Sequence, residues 1–368
     1  MEASAAVSRA PVGAAVPALE PARYTDPGAV AMLAPVWDRL STSPMQHTIW
    51  AQAWLDVFGK EHRLRFFAAG APDAPAAIAP LVARLRGPER LELLGGELHE
   101  ETDVLGTDVE ALDAMARDLA ARKIPLLLRR VPAASPFVGA VRKAYSGRGI
   151  VLLRAMPGSP YLVLDDRCAE PEQLFCSRRR ADLRRARRRA DSLGEVRAEV
   201  VAPPPELLGE LLEEAFSVEA ASWKGENGTA LAADAARGAF YRHYAEAAAR
   251  RGILRLCFLR IGGRAAAMQI AVESHNRFWL LKIGYDAEFA RCSPGTLLML
   301  ETVRTAAAQG LESYELLGVP EAWTRMWTSA ERGSVSLRAY PAGFSGVGAL
   351  ALDGATLAGR ELRGRVRR

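Results

Sequence analysis

Three strand-like apolar runs follow one another between residues 253 and 285, separated only by short turns. Gly262-Gly263 supplies a tight hairpin turn between the first two runs. A helical pattern over 296–309 then leads to a further short strand at 313–317. An antiparallel meander followed by a strand–helix–strand unit predicts a mixed sheet whose last pairing is parallel. The chain is therefore expected to fold as a mixed α/β (α+β) protein.

The first half of the chain shows the same alternation of strand-like and helical patterns. At 368 residues the chain is too long for one ordinary hydrophobic core, so two domains are expected. The segment Pro157-Gly158-Ser159-Pro160 is the clearest break between them. The predicted division is a disordered tail over 1–22, an N-terminal domain over 23–158, a C-terminal domain over 159–345 and a basic tail over 346–368.

Several functional classes are disfavoured by composition and motifs. The four cysteines show no CxxC spacing, which is typical of free thiols in a reducing compartment. The five histidines are scattered and no HExxH motif occurs, so no metal site is predicted. Prolines interrupt the apolar residues of the first 22 positions, and no apolar run reaches membrane-spanning length. A cytoplasmic protein without a membrane span is expected.

Positive charge is concentrated in one segment, FCSRRRADLRRARRRADSLGEV, residues 175–196. Residues 178–189 hold eight arginines and one aspartate, a net charge of +7, whereas the whole chain is +5. Leu183, Ala186, Ala190 and Leu193 recur at helical spacing within the segment, which predicts a helix docked by a narrow apolar edge. Aromatic residues are not interleaved, so nucleic-acid binding is disfavoured relative to a solvated face or a face turned toward an anionic ligand.

The junction GYDAEFARCSPGT, residues 284–296, joins a predicted buried strand to a helix. Gly295 carries no β-carbon, so backbone N–H groups at the helix start can approach an anion that the helix dipole also attracts. Arg291 precedes the helix, and Ser293 and Thr296 can cap it or donate hydrogen bonds. Ordinary helix capping explains the same residues equally well.

The loop SWKGENGT, residues 222–229, places an aromatic residue and a lysine between two predicted helices. Only five of the 48 basic residues are lysines, and Lys224 and Lys282 lie in or beside the two candidate segments. Lysine carries a compact point charge, whereas the arginine guanidinium is planar and forked. A lysine in a chain that otherwise uses arginine therefore indicates a position that requires the compact charge. Surface lysines without a function are the alternative.

The order of several segments resembles one acyltransferase group. These are SWKGENGTA, FYRHYAEAAARRG, LRLCFLRIGGRAAA, FWLLKIGYDAEFARCSPGTLL and YELLGVPEAW. IWAQAWLDVFG and ETDVLG, in the N-terminal half, show weaker similarity to the same group. The pattern resembles the CelD/BcsL-like acyltransferases of the GNAT superfamily, a group associated with cellulose and exopolysaccharide biosynthesis. The resemblance covers roughly residues 30–345 and is most specific over 222–327. A basic helix before the catalytic half is also usual in that group.

This resemblance implies two GNAT-like lobes in tandem, as in the related FemAB-type proteins, with acetyl-CoA or another acyl-CoA as donor and an amine as acceptor. It assigns the CoA pyrophosphate to the loop carrying Arg291, Ser293, Gly295 and Thr296. The sequence departs from the family pattern in three places: Pro294 replaces the first loop glycine, Trp323-Thr324 replaces Tyr-Lys, and Glu315 replaces Asp.

Roles for individual residues follow from the chemistry that such a transfer needs. Glu315 is the candidate base, Tyr285 the candidate proton donor to the thiolate, and Lys282 a further candidate in the catalytic centre. Candidate substrate-binding residues are Trp223, Lys224, Asp286 and Trp327, with Asp286 orienting either Lys282 or the loop.

Two other functions remain open from sequence. One is FemAB-like aminoacyl transfer from charged tRNA, in which the arginine helix would contact tRNA phosphates. The other is a non-catalytic GNAT scaffold that binds CoA or a partner. The acceptor is undefined, because an amino sugar, a lipid-linked sugar, a peptide and a small metabolite amine all fit.

Overall fold

A computed structural model describes residues 21–71, 73–98, 100–222 and 234–366. Its centre is one mixed sheet of twelve strands in the order β1-β2-β3-β4-β5-β12-β6-β11-β10-β9-β8-β7. The strands are β1 (Ala22–Tyr24), β2 (His62–Ala71), β3 (Ala74–Arg84), β4 (Leu91–Leu93), β5 (Leu126–Pro132), β6 (Gly149–Val163), β7 (Val196–Val201), β8 (Leu254–Ile261), β9 (Arg264–Ser274), β10 (Arg277–Tyr285), β11 (Ser313–Glu315) and β12 (Glu331–Pro341).

Nine α-helices of the described chain cover the two faces of this sheet. They are α1 (Ala29–Leu40), α2 (Thr48–Phe58), α3 (Val109–Ala121), α4 (Pro136–Tyr145), α5 (Ser177–Leu193), α6 (Pro205–Ala220), α7 (Ala235–Arg250), α8 (Pro294–Ala308) and α9 (Phe344–Val366). In each half a pair of helices, α1 and α2 or α6 and α7, precedes an antiparallel set of strands, and a further helix crosses over to a parallel strand. The crossover helices are α3, between β4 and β5, and α8, between β10 and β11.

The two lobes exchange their closing strands. Strand β12, from the end of the chain, pairs antiparallel with β5 of the first lobe, and β6, from the first half, pairs antiparallel with β11 of the second. Strands β6 and β12 also pair with each other, so backbone hydrogen bonds run without interruption from one lobe to the other. The segment 157–160 that sequence marks as a break lies inside β6, and the division into domains near it stays a prediction.

A continuous apolar core joins the lobes on one face of the sheet. Buried residues of α1, α2, α6 and α7 belong to the same cluster. Trp50 of α2 contacts Phe240 and Tyr244 of α7, with ring centroids 4.8 Å apart in both pairs. Aromatic pairs of this kind contribute beyond their buried area. The relative position of the lobes is therefore fixed by side-chain packing as well as by the shared sheet.

Most elements of the second lobe agree with the sequence patterns. The meander is antiparallel from β8 to β10, and β10 pairs parallel with β11, as expected. The first lobe shows the expected alternation of helices and strands, beginning with α1 and α2. Residues 1–20 lie outside the described part, which leaves the predicted tail there untested.

The arginine segment forms α5, and its apolar edge is docked. Leu183, Ala186 and Ala190 are buried, whereas Leu193 is 58% exposed and does not belong to the edge, contrary to the sequence prediction. Leu193 is the last helical residue before Gly194, whose φ of 144° ends the helix. The helix end therefore lies beyond the packed surface.

The C-terminal segment, predicted as a basic tail, is helical from Phe344 to Val366. Asp353 fixes it to the sheet by accepting from the Tyr340 hydroxyl at 2.6 Å and by ion pairs with Arg90 and Arg338, both at 2.9 Å. Within residues 21–366, leaving aside the gaps named above, no helix combines the length and the apolar character needed to cross a bilayer.

The docked edge of α5 predicts different outcomes for two substitutions. Leu183→Ala removes a side chain that is 5% exposed and should lower the free energy of unfolding by about 2–3 kcal/mol. The double variant Arg184→Gln/Arg188→Gln changes exposed charges on the same helix and should alter it by less than about 0.5 kcal/mol. Urea denaturation of the three proteins compares these values. A larger loss in the arginine variant would show that the opposite face is the packed one.

Candidate functional site

Strands β10 and β11 pair for only three residues and then separate. Their parallel pairing covers 277–279 with 313–315, whereas β10 continues to Tyr285 along its other neighbour, β9. Leu317 and Gly318 follow β11 with φ of 58° and 61°, a left-handed conformation that turns the chain away from β10. A wedge-shaped gap therefore opens between the second half of β10 and residues 316–319.

The first lobe holds this turn in place. Arg130, which is 7% exposed, donates from Nη2 to the carbonyl oxygen of Gly318 at 2.7 Å and to Ser159 Oγ at 2.9 Å. The backbone N–H of Leu316 donates to the carbonyl of Pro160 in β6 at 3.0 Å. The gap is thus a fixed feature of the lobe interface.

Helix α8 begins at one end of the gap. Ser293 takes a left-handed conformation, φ 48° and ψ 49°, and Pro294 occupies the first helical position, where its fixed φ suits the helix and its missing N–H costs nothing. Across the described residues, the backbone N–H of Gly295 has no hydrogen-bond partner. A β-carbon at Gly295 would meet only Tyr285 Cδ1, at 3.9 Å, so the approach to this N–H is open. The site suits an anionic group.

Two connected cavities run from this helix end through the gap. The first, of about 470 Å³, is lined by residues 293–296, Tyr285 and the two tryptophans Trp323 and Trp327. The second, of about 290 Å³, lies between residues 280–283 of β10 and 316–319. Ile283, Glu321 and Trp323 line both. An extended ligand can therefore lie with an anionic part at α8 and its other end in the gap.

The far end of the gap holds buried ionisable groups from both lobes. Glu100 of the first lobe lines the second cavity beside Lys282, whose Nζ lies 4.5 Å from the centre of the Tyr241 ring. Burial raises the pKa of the Glu100 carboxyl, and the positive charges of Lys282 and Arg130 lower it by less. Burial also raises the pKa of Tyr241 well above its usual value, and the charge of Glu100 adds to that shift. A carboxyl with a raised pKa can accept a proton near neutral pH.

Close backbone packing positions Lys282 here. A β-carbon on Gly284 would lie 2.7 Å from the Cα of Glu219 in α6, so only glycine allows β10 to approach that helix. A bulge between Leu280 and Lys282 shifts the register against β9. Bulges redirect side chains, and this one aims Lys282 at the lobe interface.

The structure brings together three of the four predicted donor-binding residues, the candidate proton donor Tyr285 and the candidate substrate-binding residue Trp327. Tyr285, Ser293, Gly295, Thr296 and Trp327 all line the first cavity. Trp327 is 6% exposed and packs edge-on against Phe175, at 4.9 Å between ring centroids.

Two of the predicted residues make contacts that position the loop preceding α8. The exposed Arg291 is not among the cavity residues, and its carbonyl oxygen accepts from Nη1 of Arg189 at 3.2 Å, which docks α5 on this loop. Asp286 accepts from the Glu288 N–H at 2.9 Å and pairs with Arg264 at 3.0 Å, so of its two predicted partners it orients the loop.

Glu315 lies apart from these residues. It is 1% exposed and lines a different cavity, beside the paired part of β10 and β11. Arg332 donates to both of its oxygens, at 2.8 and 2.5 Å, and Ser313 Oγ donates at 2.7 Å. Its oxygens are thus engaged by fixed donors. Trp223 and Lys224 fall outside the described residues.

Sequence reasoning missed Glu100 as a functional residue. The segment around it, ELHEETDVLG, shows only several acidic residues close together in a loop. ETDVLG contributes weakly to the family resemblance, and that resemblance assigns no role to Glu100. Only the pairing of the lobes places Glu100 at the end of a gap formed by the other half of the chain. As for metals, the described residues contain no group of three or more histidine, cysteine or acidic side chains suited to hold an ion.

Comparisons with known proteins agree with this geometry. Residues 177–325 match the family model described as an acetyltransferase (GNAT) domain. A search of curated proteins found no match. Among solved structures, the fold is similar to the C-terminal domain (DUF2156) of an Agrobacterium fabrum protein described as a lysylphosphatidylglycerol synthetase, with a TM-score of 0.57 at 14% identity over 89% of this chain and 95% of that one.

Two further solved structures show the same likeness. L-PGS from Bacillus licheniformis has a TM-score of 0.54 at 14% identity, covering 85% of this chain and 91% of that one. FemX has a TM-score of 0.54 at 13% identity, covering 88% and 97%. At such identities the likeness concerns the fold alone. The chain is a mixed α/β protein of two lobes that share one sheet, and its residues 177–325 match a GNAT-type acetyltransferase domain.

Proposed function

We propose that the protein is an acyl-CoA-dependent N-acyltransferase that transfers an acetyl group to a primary amine. The observation that carries the proposal is the continuous path from the free N–H of Gly295 at the start of α8, through the gap between β10 and β11, to Glu100. The match of residues 177–325 to a GNAT acetyltransferase domain supports it. A role in exopolysaccharide metabolism, and membership of the CelD/BcsL-like branch, rest on the sequence resemblance and form the finer part of the proposal.

The residues at α8 fit an acyl-CoA donor. The Gly295 N–H and the dipole of a fifteen-residue helix suit the pyrophosphate, and Ser293 and Thr296 add hydroxyl groups on the same side. The apolar walls of the gap, including Leu280 and Leu316, suit an extended, uncharged arm. When bound, acyl-CoA supplies a thioester carbonyl that an amine can attack.

Side chains of the protein then have to accept the proton of the amine and donate a proton to the leaving sulfur. Glu100 takes a proton from the ammonium form of the acceptor, which leaves a neutral amine able to form the new C–N bond. The C–S bond breaks as the amide forms, and Tyr285, which lines the donor cavity, gives a proton to the leaving sulfur. The proton that the attacking nitrogen loses on forming the amide replaces the one given by Tyr285, so the tyrosine ends protonated. Lys282 holds positive charge beside Glu100 and limits the rise in its pKa.

One observation favours a second candidate, aminoacyl transfer from a charged tRNA. Arg184 and Arg188 are exposed on α5 and form no ion pair with any described carboxylate. Phosphate contacts from such a face would make RNA binding depend steeply on salt concentration. Transfer from an aminoacyl-tRNA, lost when these arginines become glutamine, would favour this candidate over the acyl-CoA reaction.

Substitution at Gly295 tests the donor site. Gly295→Asp adds a negative charge beside the proposed pyrophosphate and should weaken CoA binding by roughly ten-fold or more. Gly295→Asn adds a side chain of the same size without the charge and should weaken it much less. An acidic residue in the first turn favours helix formation, so the Asp variant is expected to fold. Calorimetric titration with CoA measures both; equal affinities for the two variants would contradict the placement of the pyrophosphate.

The base assignment predicts a difference between two buried glutamates. Glu100→Gln should lower kcat by roughly 10²–10⁴-fold, because the amine loses its proton acceptor, while CoA affinity stays unchanged. In the wild type kcat/KM should fall as pH is lowered through the pKa of Glu100, which burial places above the ordinary glutamate value, and this dependence should vanish in Glu100→Gln.

The sequence-predicted base, Glu315, provides the contrast. Glu315→Gln weakens the ion pair with Arg332, so we expect its main effect on stability and on KM for the acceptor. Loss of the acid limb of the pH profile in Glu315→Gln, with the limb retained in Glu100→Gln, would return the role of base to Glu315. Circular dichroism and thermal unfolding of both variants control for misfolding.

A further inference from the structure

A charged cavity of about 400 Å³ lies between the lobes, next to the gap but separate from the donor cavity. It is bounded by the start of β10, the end of β11, strands β6 and β12, and the first-lobe loop that carries Glu101. Leu317 lines both this cavity and the gap, and Glu101 follows Glu100 directly in the chain. The cavity therefore lies next to the end of the gap that receives the acceptor in the proposed reaction.

One ion pair in the cavity has close, two-point geometry. Arg332 and Glu315 form a two-point contact, with Nε–Oε2 at 2.8 Å and Nη2–Oε1 at 2.5 Å. The guanidinium of Arg332 also lies over the Tyr161 ring, 4.1 Å from its centre. These contacts fix Arg332 and leave Glu315 with little capacity to accept further hydrogen bonds.

Arg277, the other arginine of the cavity, has no close ion-pair partner among the described residues. Its closest carboxylate contact is Nη1 to Glu315 Oε1 at 3.9 Å, which is too long for a hydrogen bond. Its Nε is buried, and nothing in the described part of the chain accepts a hydrogen bond from it. Its side chain is 29% exposed, and its guanidinium lies 5.9 Å from the Trp279 ring centre. A buried N–H without an acceptor is costly, and a carboxylate arriving in the cavity would satisfy it.

Two neighbouring acids, Glu101 and Asp103, have raised pKa values and oppose an anion least in their protonated forms. Burial raises the pKa of Glu101 to about 7, so its carboxyl is largely protonated below neutral pH and half protonated near it. Its Oε2 is buried without a hydrogen-bond partner among the described groups. In the protonated form Glu101 can donate a hydrogen bond to a carboxylate. By formal charge, Arg277 and Arg332 balance Glu315 and Glu331 in the cavity lining, and Glu101 and Asp103, whose pKa values burial raises to about 7, add negative charge only as they ionise.

We propose that this cavity binds a carboxylate of the acyl acceptor through Arg277, so that the preferred acceptors are elongated amines that carry a carboxylate several bonds from the amine. The inference rests on the proposed function, because it concerns the acceptor of that reaction. Because of the bulge, Arg277 and Lys282 pair with residues only four positions apart on β9, roughly 13 Å at about 3.3 Å per residue, and the arginine side chain shortens that span. An ordinary α-amino acid, with both groups on one carbon, is too short; an ω-amino carboxylate or a short peptide has the required length.

A matched pair of probes tests the inference. 6-Aminohexanoate and 6-aminohexanamide have the same length and amine and differ in the charge at the far end. With acetyl-CoA as donor, the wild type should show a kcat/KM for the carboxylate roughly ten-fold or more above that for the amide. Arg277→Gln should reduce this preference to near unity by raising KM for the carboxylate, and Arg277→Lys should restore part of it. Arg117→Gln, an exposed arginine on α3, serves as the control and should keep the wild-type preference.

Binding measured without turnover separates this inference from the proposed function. Calorimetric titration of the full chain should show 6-aminohexanoate binding the wild type more tightly than Arg277→Gln. Acetyl transfer to both probes without a preference, a preference that survives in Arg277→Gln, or absence of carboxylate binding by the wild type each overturns the inference. CoA binding without transfer to either probe, combined with Arg277-dependent carboxylate binding, instead overturns the proposed reaction and leaves the carboxylate site standing.

Discussion

The separation of β10 from β11 after three paired residues is the constraint on which the functional geometry depends. Strand β10 stays paired with β9 to its last residue, with one bulge, so the gap opens on one edge while the other edge remains hydrogen-bonded. Leu317 and Gly318, both left-handed, turn the other chain away, and Arg130 holds the Gly318 carbonyl from the opposite lobe. The opening is thus held by specific contacts across the molecule.

Exchange of closing strands gives the two lobes a shared active region. Because β6 completes the second lobe and β12 completes the first, neither half has a complete sheet without the other. The packed aromatic side chains of α2 and α7 add a second connection on one face. This arrangement carries Glu100, a first-lobe residue, to the end of a gap formed by second-lobe strands. It also explains why the proposed donor and acceptor regions lie on different sides of one strand pair.

Buried charge is distributed unevenly along this path. Near α8, hydroxyl groups and a backbone N–H face the cavity, whereas the lobe interface concentrates carboxyl groups and arginines. Burial raises the pKa of Glu100 and Glu101, which disfavours their ionised forms and destabilises the fold as pH rises through those values. Carboxyl groups with raised pKa values, and the loss of stability that they cause, are common at cavities where a protein transfers a proton or recognises a charged group.

The sequence by itself determined the local elements and the donor side of the site. The apolar runs between residues 253 and 285, the glycine turn at 262–263 and the pattern of α8 depend on near neighbours, so their prediction as a meander and crossover agrees with the structure. The residues Ser293, Gly295 and Thr296 were recognisable for the same reason, since a helix start and its loop are contiguous in the chain.

Tertiary structure alone decided the acceptor side. The exchange of β6 and β12 is a pairing between segments about 180 positions apart, and no local pattern encodes such a partner. Glu315 follows a strand next to the expected site, but its ion pair with Arg332 depends on β12 entering the sheet beside β6. Glu100 and Arg277 acquire their surroundings in the same way, from chain segments brought together across the lobe interface. Burial and electrostatic partners set the chemistry of an ionisable group, and both are properties of the assembled fold.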